Sequence, residues 1–73
     1  MVTLKMYRDA CIAVVMHCPD DYAKACAQAA LGFHDRDARQ RAADLLFRNT
    51  TDWQGNVARD ARKALRRYRS ARP

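Results

Sequence analysis

Apolar residues in this chain recur at helical spacing in four successive blocks, separated by short polar segments carrying proline, glycine or asparagine. The first block predicts a helix from about Thr3 to His17, with Leu4, Tyr7, Cys11, Val14, Val15 and Cys18 on one stripe. Ile12 and Met16 occupy its other side, so this helix reads as central in its bundle or buried in an oligomer. The β-branched run Ile12, Val14, Val15 also suits a short strand, but no second strand-like segment exists to pair with it. Helix is the better reading.

Pro19 opens the second helix, with Asp20 and Asp21 in its first turn complementing the helix dipole. Tyr22, Cys26, Ala29 and Ala30 form its expected buried stripe, and Gly32 is its natural stop. Asp35 or Asp37 caps the third helix, which runs through Ala38, Ala42, Leu45 and Leu46 to about Arg48 and ends at Asn49 in a left-handed conformation. Thr51 to Gln54 matches a capping box, a hydroxyl followed three positions later by an amide. A fourth helix is therefore expected from Trp53 towards Arg72, with a frayed tail over residues 70–73. The expected fold is all-α: one compact bundle of about four short helices spanning residues 1–73 as a single domain.

The fourth helix carries the strongest signal. At about 100° per residue, Arg59, Arg62, Lys63, Arg66 and Arg69 fall within an arc roughly 120° wide. Trp53, Val57, Ala61, Ala64, Leu65 and Tyr68 fall opposite, and Asp60 is the single acid from Trp53 onward. The whole chain is basic, with a formal net charge of +6 and eleven arginines against three lysines. Arginine pairs bidentately with phosphate or carboxylate, which favours nucleic acid or an acidic protein surface as partner. Fourteen alanines accompany the arginines, a bias that a GC-rich genome also produces, so base composition contributes to the signal.

Catalysis and metal binding find little support. The chain has no glutamate, and Asp20, Asp21, Asp35, Asp37 and Asp52 sit at expected helix starts, where capping accounts for them. Cys11, Cys18, Cys26, His17 and His34 form neither a C-x-x-C nor an H-x-x-x-H pair, the spacings that usually seed a zinc site. His17 and Cys18 are adjacent, but neighbouring helical residues diverge too far to act together as nucleophile and base. No enzyme activity, metal or cofactor is expected. Three cysteines make an odd number: Cys11 and Cys18 lie about 10 Å apart along one helix, too far for a disulfide, and Cys18 with Cys26 across a helical hairpin is geometrically open. Reduced, buried thiols are the preferred reading.

The longest apolar run, Ala10 to Met16, falls short of a membrane span, and the leader pattern around Lys5 and Arg8 is loose. A cytoplasmic protein with no membrane partner is expected. A core of this size is marginal, which makes a homo-oligomer a further expectation.

Two binding arrangements compete with ordinary solvated surface. The second helix, Gly32 and the third helix have the lengths of a helix-turn-helix, which offers Arg36, Arg39, Gln40 and Arg41 to a major groove. Asp35, Asp37 and Asp44 on the same helix oppose that use and favour an ordinary helical corner. The arginine face of the fourth helix is the better site, helped by Arg36, Arg39 and Arg41. The leading expectation is a non-enzymatic, nucleic-acid-associated regulator. The second is a stoichiometric regulator or inhibitor docking on an acidic surface of a larger machine. In size and charge alone the chain resembles the very small regulators that bacteria and their phages carry.

Overall fold

The computed structural model describes residues 3–71, and their secondary structure is entirely helical. Four helices follow in order: α1 (Leu4–His17), α2 (Asp21–Leu31), α3 (Arg36–Asn49) and α4 (Asn56–Arg69). Local chemistry sets the first three starts. The Thr3 hydroxyl accepts from the Met6 N–H, the Asp20 carboxylate from Tyr22, and the Asp35 carboxylate from Ala38. Each satisfies an N–H that the helix itself leaves without a partner.

The helices pack in a ring, α1 against α2, α2 against α3, α3 against α4 and α4 back against α1. Tyr7, near the start of α1, reaches the end of α2, where its hydroxyl donates to the Ala30 carbonyl at 2.7 Å. Its ring also lies 4.8 Å from that of Tyr68 at the end of α4. Neighbouring helices are therefore antiparallel, as short connections require. Ala23, Ala27 and Ala30 on α2, and Ala42 and Ala43 on α3, let the backbones approach closely around Tyr7, Val14, Leu46 and Leu65.

The helical class and the bundle are as expected; several details are not. α1 is not central: it forms one side of the ring, with Leu4, Ile12 and Met16 exposed. The buried stripe of α2 is turned by about one position, whereas α3 buries Ala42 and Leu46, two of the residues named for it. Ala23 and Ala27 are buried where Tyr22 and Ala29 were expected, and Ala43 is buried while Leu45 is exposed. The buried residues of α2 are all alanines, whereas α3 buries Leu46 beside Ala42 and Ala43. Asn49 is the last residue of α3 rather than a left-handed terminator, and no residue but Gly55 among those described has positive φ.

The expected capping box before α4 does not form. Trp53 is buried ahead of the helix, so residues 51–55 run as a turn beginning with the Trp53 N–H on the Thr50 carbonyl. α4 then starts after Gly55, whose φ of 113° is accessible to glycine and costly for other residues. Thr50 instead closes α3, its buried hydroxyl donating to the Leu46 carbonyl at 2.8 Å. At the other end Ser70 caps α4 and Ala71 is held by Gln40; Arg72 and Pro73, part of the expected helix end and tail, lie outside the described residues.

Candidate nucleic-acid interface

The buried side of α4 consists of Ala58, Ala61, Leu65 and Tyr68. Val57, expected there, is exposed, and Ala64 is half-buried in the crevice facing α1. The basic arc consequently divides into two parts with different physical roles.

Arg62 and Arg69 border the core on the α3 side and are turned onto that helix. Arg62 donates through Nε to the Thr50 hydroxyl and through a terminal nitrogen to the Phe47 carbonyl, each at 3.3 Å. A cation at this point satisfies carbonyl groups and complements the negative end of α3. Arg69 donates to the Asp44 carboxylate at 2.8 Å. Both guanidinium carbons lie over the Phe47 ring, 4.3 and 4.4 Å from its centroid. Arg62, Arg69, Phe47 and Asp44 therefore form a clamp between α3 and α4.

Arg59, Lys63 and Arg66 are exposed and face solvent along α4. Together with Arg62 and Phe47 they line a shallow cleft of about 260 Å³. Arg59 approaches Asp60 at 4.0 Å with both side chains at least three-quarters exposed, a contact worth little in water. Arg67, which the initial arc left out, is also exposed and extends the same face by about 40° beyond Lys63. The signal for it was present: its angular position lies between Lys63 and Asp60, far from the buried stripe.

The α3 candidates separate similarly. Arg39 is not a free cation: its Nε donates to the Tyr68 hydroxyl at 2.9 Å and a terminal nitrogen to the His34 carbonyl at 2.7 Å. Gln40 donates to the Tyr68 carbonyl at 3.2 Å and also to the Ala71 carbonyl, closing the C-terminus of α4. Two of the four groups that a helix-turn-helix would present to bases are thus engaged in holding α3 to α4. Arg36 is exposed at the start of α3, and Arg41 pairs with Asp37 at 3.5 Å one turn away. Neither joins the α4 row.

Among the described residues, no three His, Cys or Asp side chains come together as metal ligands. The cysteines are free: Cys11 and Cys18 are buried and Cys26 is half-buried. Burial pushes the Cys11 thiol up to about 11, partly offset by a hydrogen bond with Tyr7, and raises the Tyr7 hydroxyl well above its ordinary range. The shift disfavours the thiolate, the nucleophilic form, near neutral pH. No described helix is long and apolar enough to cross a membrane. The chain matches no known protein family, and neither a curated protein nor a solved structure shows significant similarity to it.

Proposed function

We propose that the protein is a non-catalytic, nucleic-acid-associated regulator that holds a phosphate backbone along α4. One observation carries this reading. Arg59, Lys63, Arg66 and Arg67 stand on one exposed face of a rigid helix, with Asp60 the sole acid in that helix. The clamp behind them ties the helix to α3. Arg59 and Arg66 are seven residues apart, about 10 Å along the axis, which suits successive contacts to a backbone rather than one to an isolated anion. Contacts of this kind position a protein on nucleic acid without reading bases. Arg39 and Gln40, the side chains best suited to base edges, are occupied inside the fold.

Binding is accordingly expected to be insensitive to sequence and strongly sensitive to salt. Fluorescence anisotropy with labelled random-sequence duplex and single-stranded oligonucleotides, between about 50 and 200 mM salt, tests this. A steep loss of affinity with salt supports it. Failure to bind either oligonucleotide at low salt defeats it, and a partner captured from nuclease-treated lysate and lost when the α4 row is neutralised would transfer the row to an acidic protein surface.

A further inference from the structure

The packing of α2 and α3 leaves part of the apolar line of each helix outside the bundle, and the two parts line one groove. On α2, Tyr22, Cys26 and Ala29 follow one helical line that continues to Phe33 just past the helix end. On α3, Ala38, Ala42 and Leu45 follow another. Between them runs an open groove of about 400 Å³, with Arg41 as the single charged residue of its lining. Tyr22 is 59 % exposed beside it, and Phe33 and Leu45 are each 41 % exposed within it. Large apolar side chains are thus left in water around a floor of alanines.

We propose that this groove docks an amphipathic helix of a protein partner whose polar flanks are acidic. Its shape, open along two helices, suits a helical segment better than a small molecule, which sites usually enclose. Ala29, Ala38 and Ala42 allow close approach, while Phe33 and Leu45 supply ridges for the incoming side chains. Charge selects the partner. Arg41 lies midway along the seam and Arg48 two turns further on, with side chains 80 % and 72 % exposed. Arg41 pairs with Asp37 at 3.5 Å with both side chains exposed, a weak contact in water, and Arg48 shares Asp44 with Arg69, so both arginines stay open to a further carboxylate. A second copy of this chain would bring another +6 and its own Arg41 into the seam, whereas acidic flanks meet Arg41 and Arg48 with opposite sign. The groove lies on a different helix pair from the α4 row and does not depend on the nucleic-acid reading.

The probe is a synthetic 18-residue amphipathic helix with leucines at positions i, i+3, i+4 and i+7 and glutamates on its flanks. A second peptide replaces every glutamate by lysine. With the full-length protein, the glutamate peptide should bind at least about fivefold more tightly than the lysine peptide by anisotropy. It should also slow alkylation of Cys26, the one cysteine that is not buried. Ala29→Glu, at an exposed position, should abolish binding of the glutamate peptide, and Leu45→Glu serves the same purpose should Ala29→Glu disturb the fold. Arg41→Glu should reverse the preference between the two peptides. No binding up to about 1 mM, equal affinity for both peptides, or unchanged Cys26 alkylation overturns the proposal. Dimerisation in sedimentation that Ala29→Glu abolishes also overturns it, by assigning the groove to a second copy.

Discussion

Replacing both clamp arginines by glutamine, Arg62→Gln with Arg69→Gln, should destabilise the fold, although a pattern of charges alone would class both as surface residues. Arg62 makes two hydrogen bonds at 3.3 Å, to a buried hydroxyl and a backbone carbonyl. Their length places them at the weak end of charge-assisted bonds, about 0.5–1 kcal/mol each. Its contact with Phe47 adds about 0.5–1 kcal/mol. Arg69 and Asp44 are each about one-third exposed, so their 2.8 Å bond is discounted for solvent screening to about 0.5–1 kcal/mol, with a similar contribution from Phe47. The two residues share Phe47, so the double loss is not additive and is set at about 2–3 kcal/mol. For a domain of this size that corresponds to a fall in Tm of roughly 10–20 °C. Far-UV circular dichroism and the fluorescence of buried Trp53 report the transition. The control is Arg59→Gln, Lys63→Gln and Arg66→Gln together, which touches exposed side chains only and should move Tm by no more than about 5 °C. A double clamp variant that melts within about 2 °C of the parent would refute the division of the arc.

Three further outcomes follow from the same packing. Gly55→Ala should lower stability by about 1–3 kcal/mol in a thermal melt, although open space surrounds the site, because the cost lies in the backbone at φ 113°. Stability should fall in alkaline solution: below pH 9 Cys11 is protonated in both states, but between its ordinary value of 9.0 and about 11 the unfolded chain releases a proton that the folded one keeps. That linkage removes up to about 2–3 kcal/mol, with Tyr7 acting in the same direction, and urea titrations of Cys11→Ala across this range should show a shallower decline. Cys11→Ser, by contrast, places a hydroxyl on a packed face and should cost about 1–3 kcal/mol near neutral pH, more than Cys11→Ala; equal tolerance of both would show that the site is not packed as described.

How far the sequence disclosed this molecule depends on which interactions are local. The starts near Thr3 and at Asp35 were legible because local chemistry decides them within a few residues, whereas Pro19, expected in the first turn of α2, precedes its Asp20 cap. Helix number and approximate ends followed from apolar spacing and from Pro19 and Gly32. The facing of α2 was not legible to better than one position, and on α3 Ala42 and Leu46 were legible while Ala43 and the exposure of Leu45 were not. Ala23, Ala27 and Ala43 carry little hydrophobic weight, so their burial is decided by tertiary packing and not by the local apolar pattern. Thr51 to Gln54 satisfied a local rule that the burial of Trp53, a tertiary demand, overrode. The same limit applies to the basic residues. Angular position separates Arg59 and Lys63 from the core, but it does not reveal that Arg62, Arg69 and Arg39 find Thr50, Asp44 and Tyr68 on other elements. Arginine has the length and donor geometry for either role, and the choice is made by what packs beside it.

We assign one face of α4 two roles, a clamp formed by Arg62 and Arg69 and an exposed row formed by Arg59, Lys63 and Arg66. The salt dependence of binding to a random-sequence duplex tests this assignment most directly, measured for the parent, the clamp variant and Arg59→Gln, Lys63→Gln, Arg66→Gln at a temperature where all three are folded. Each lost phosphate contact should flatten the plot of log affinity against log salt concentration by about 0.9. The row variant should therefore lose about 2–3 in slope and the clamp variant less than about 1. Equal slopes for all three proteins, or a larger loss in the clamp variant than in the row variant, would contradict the account.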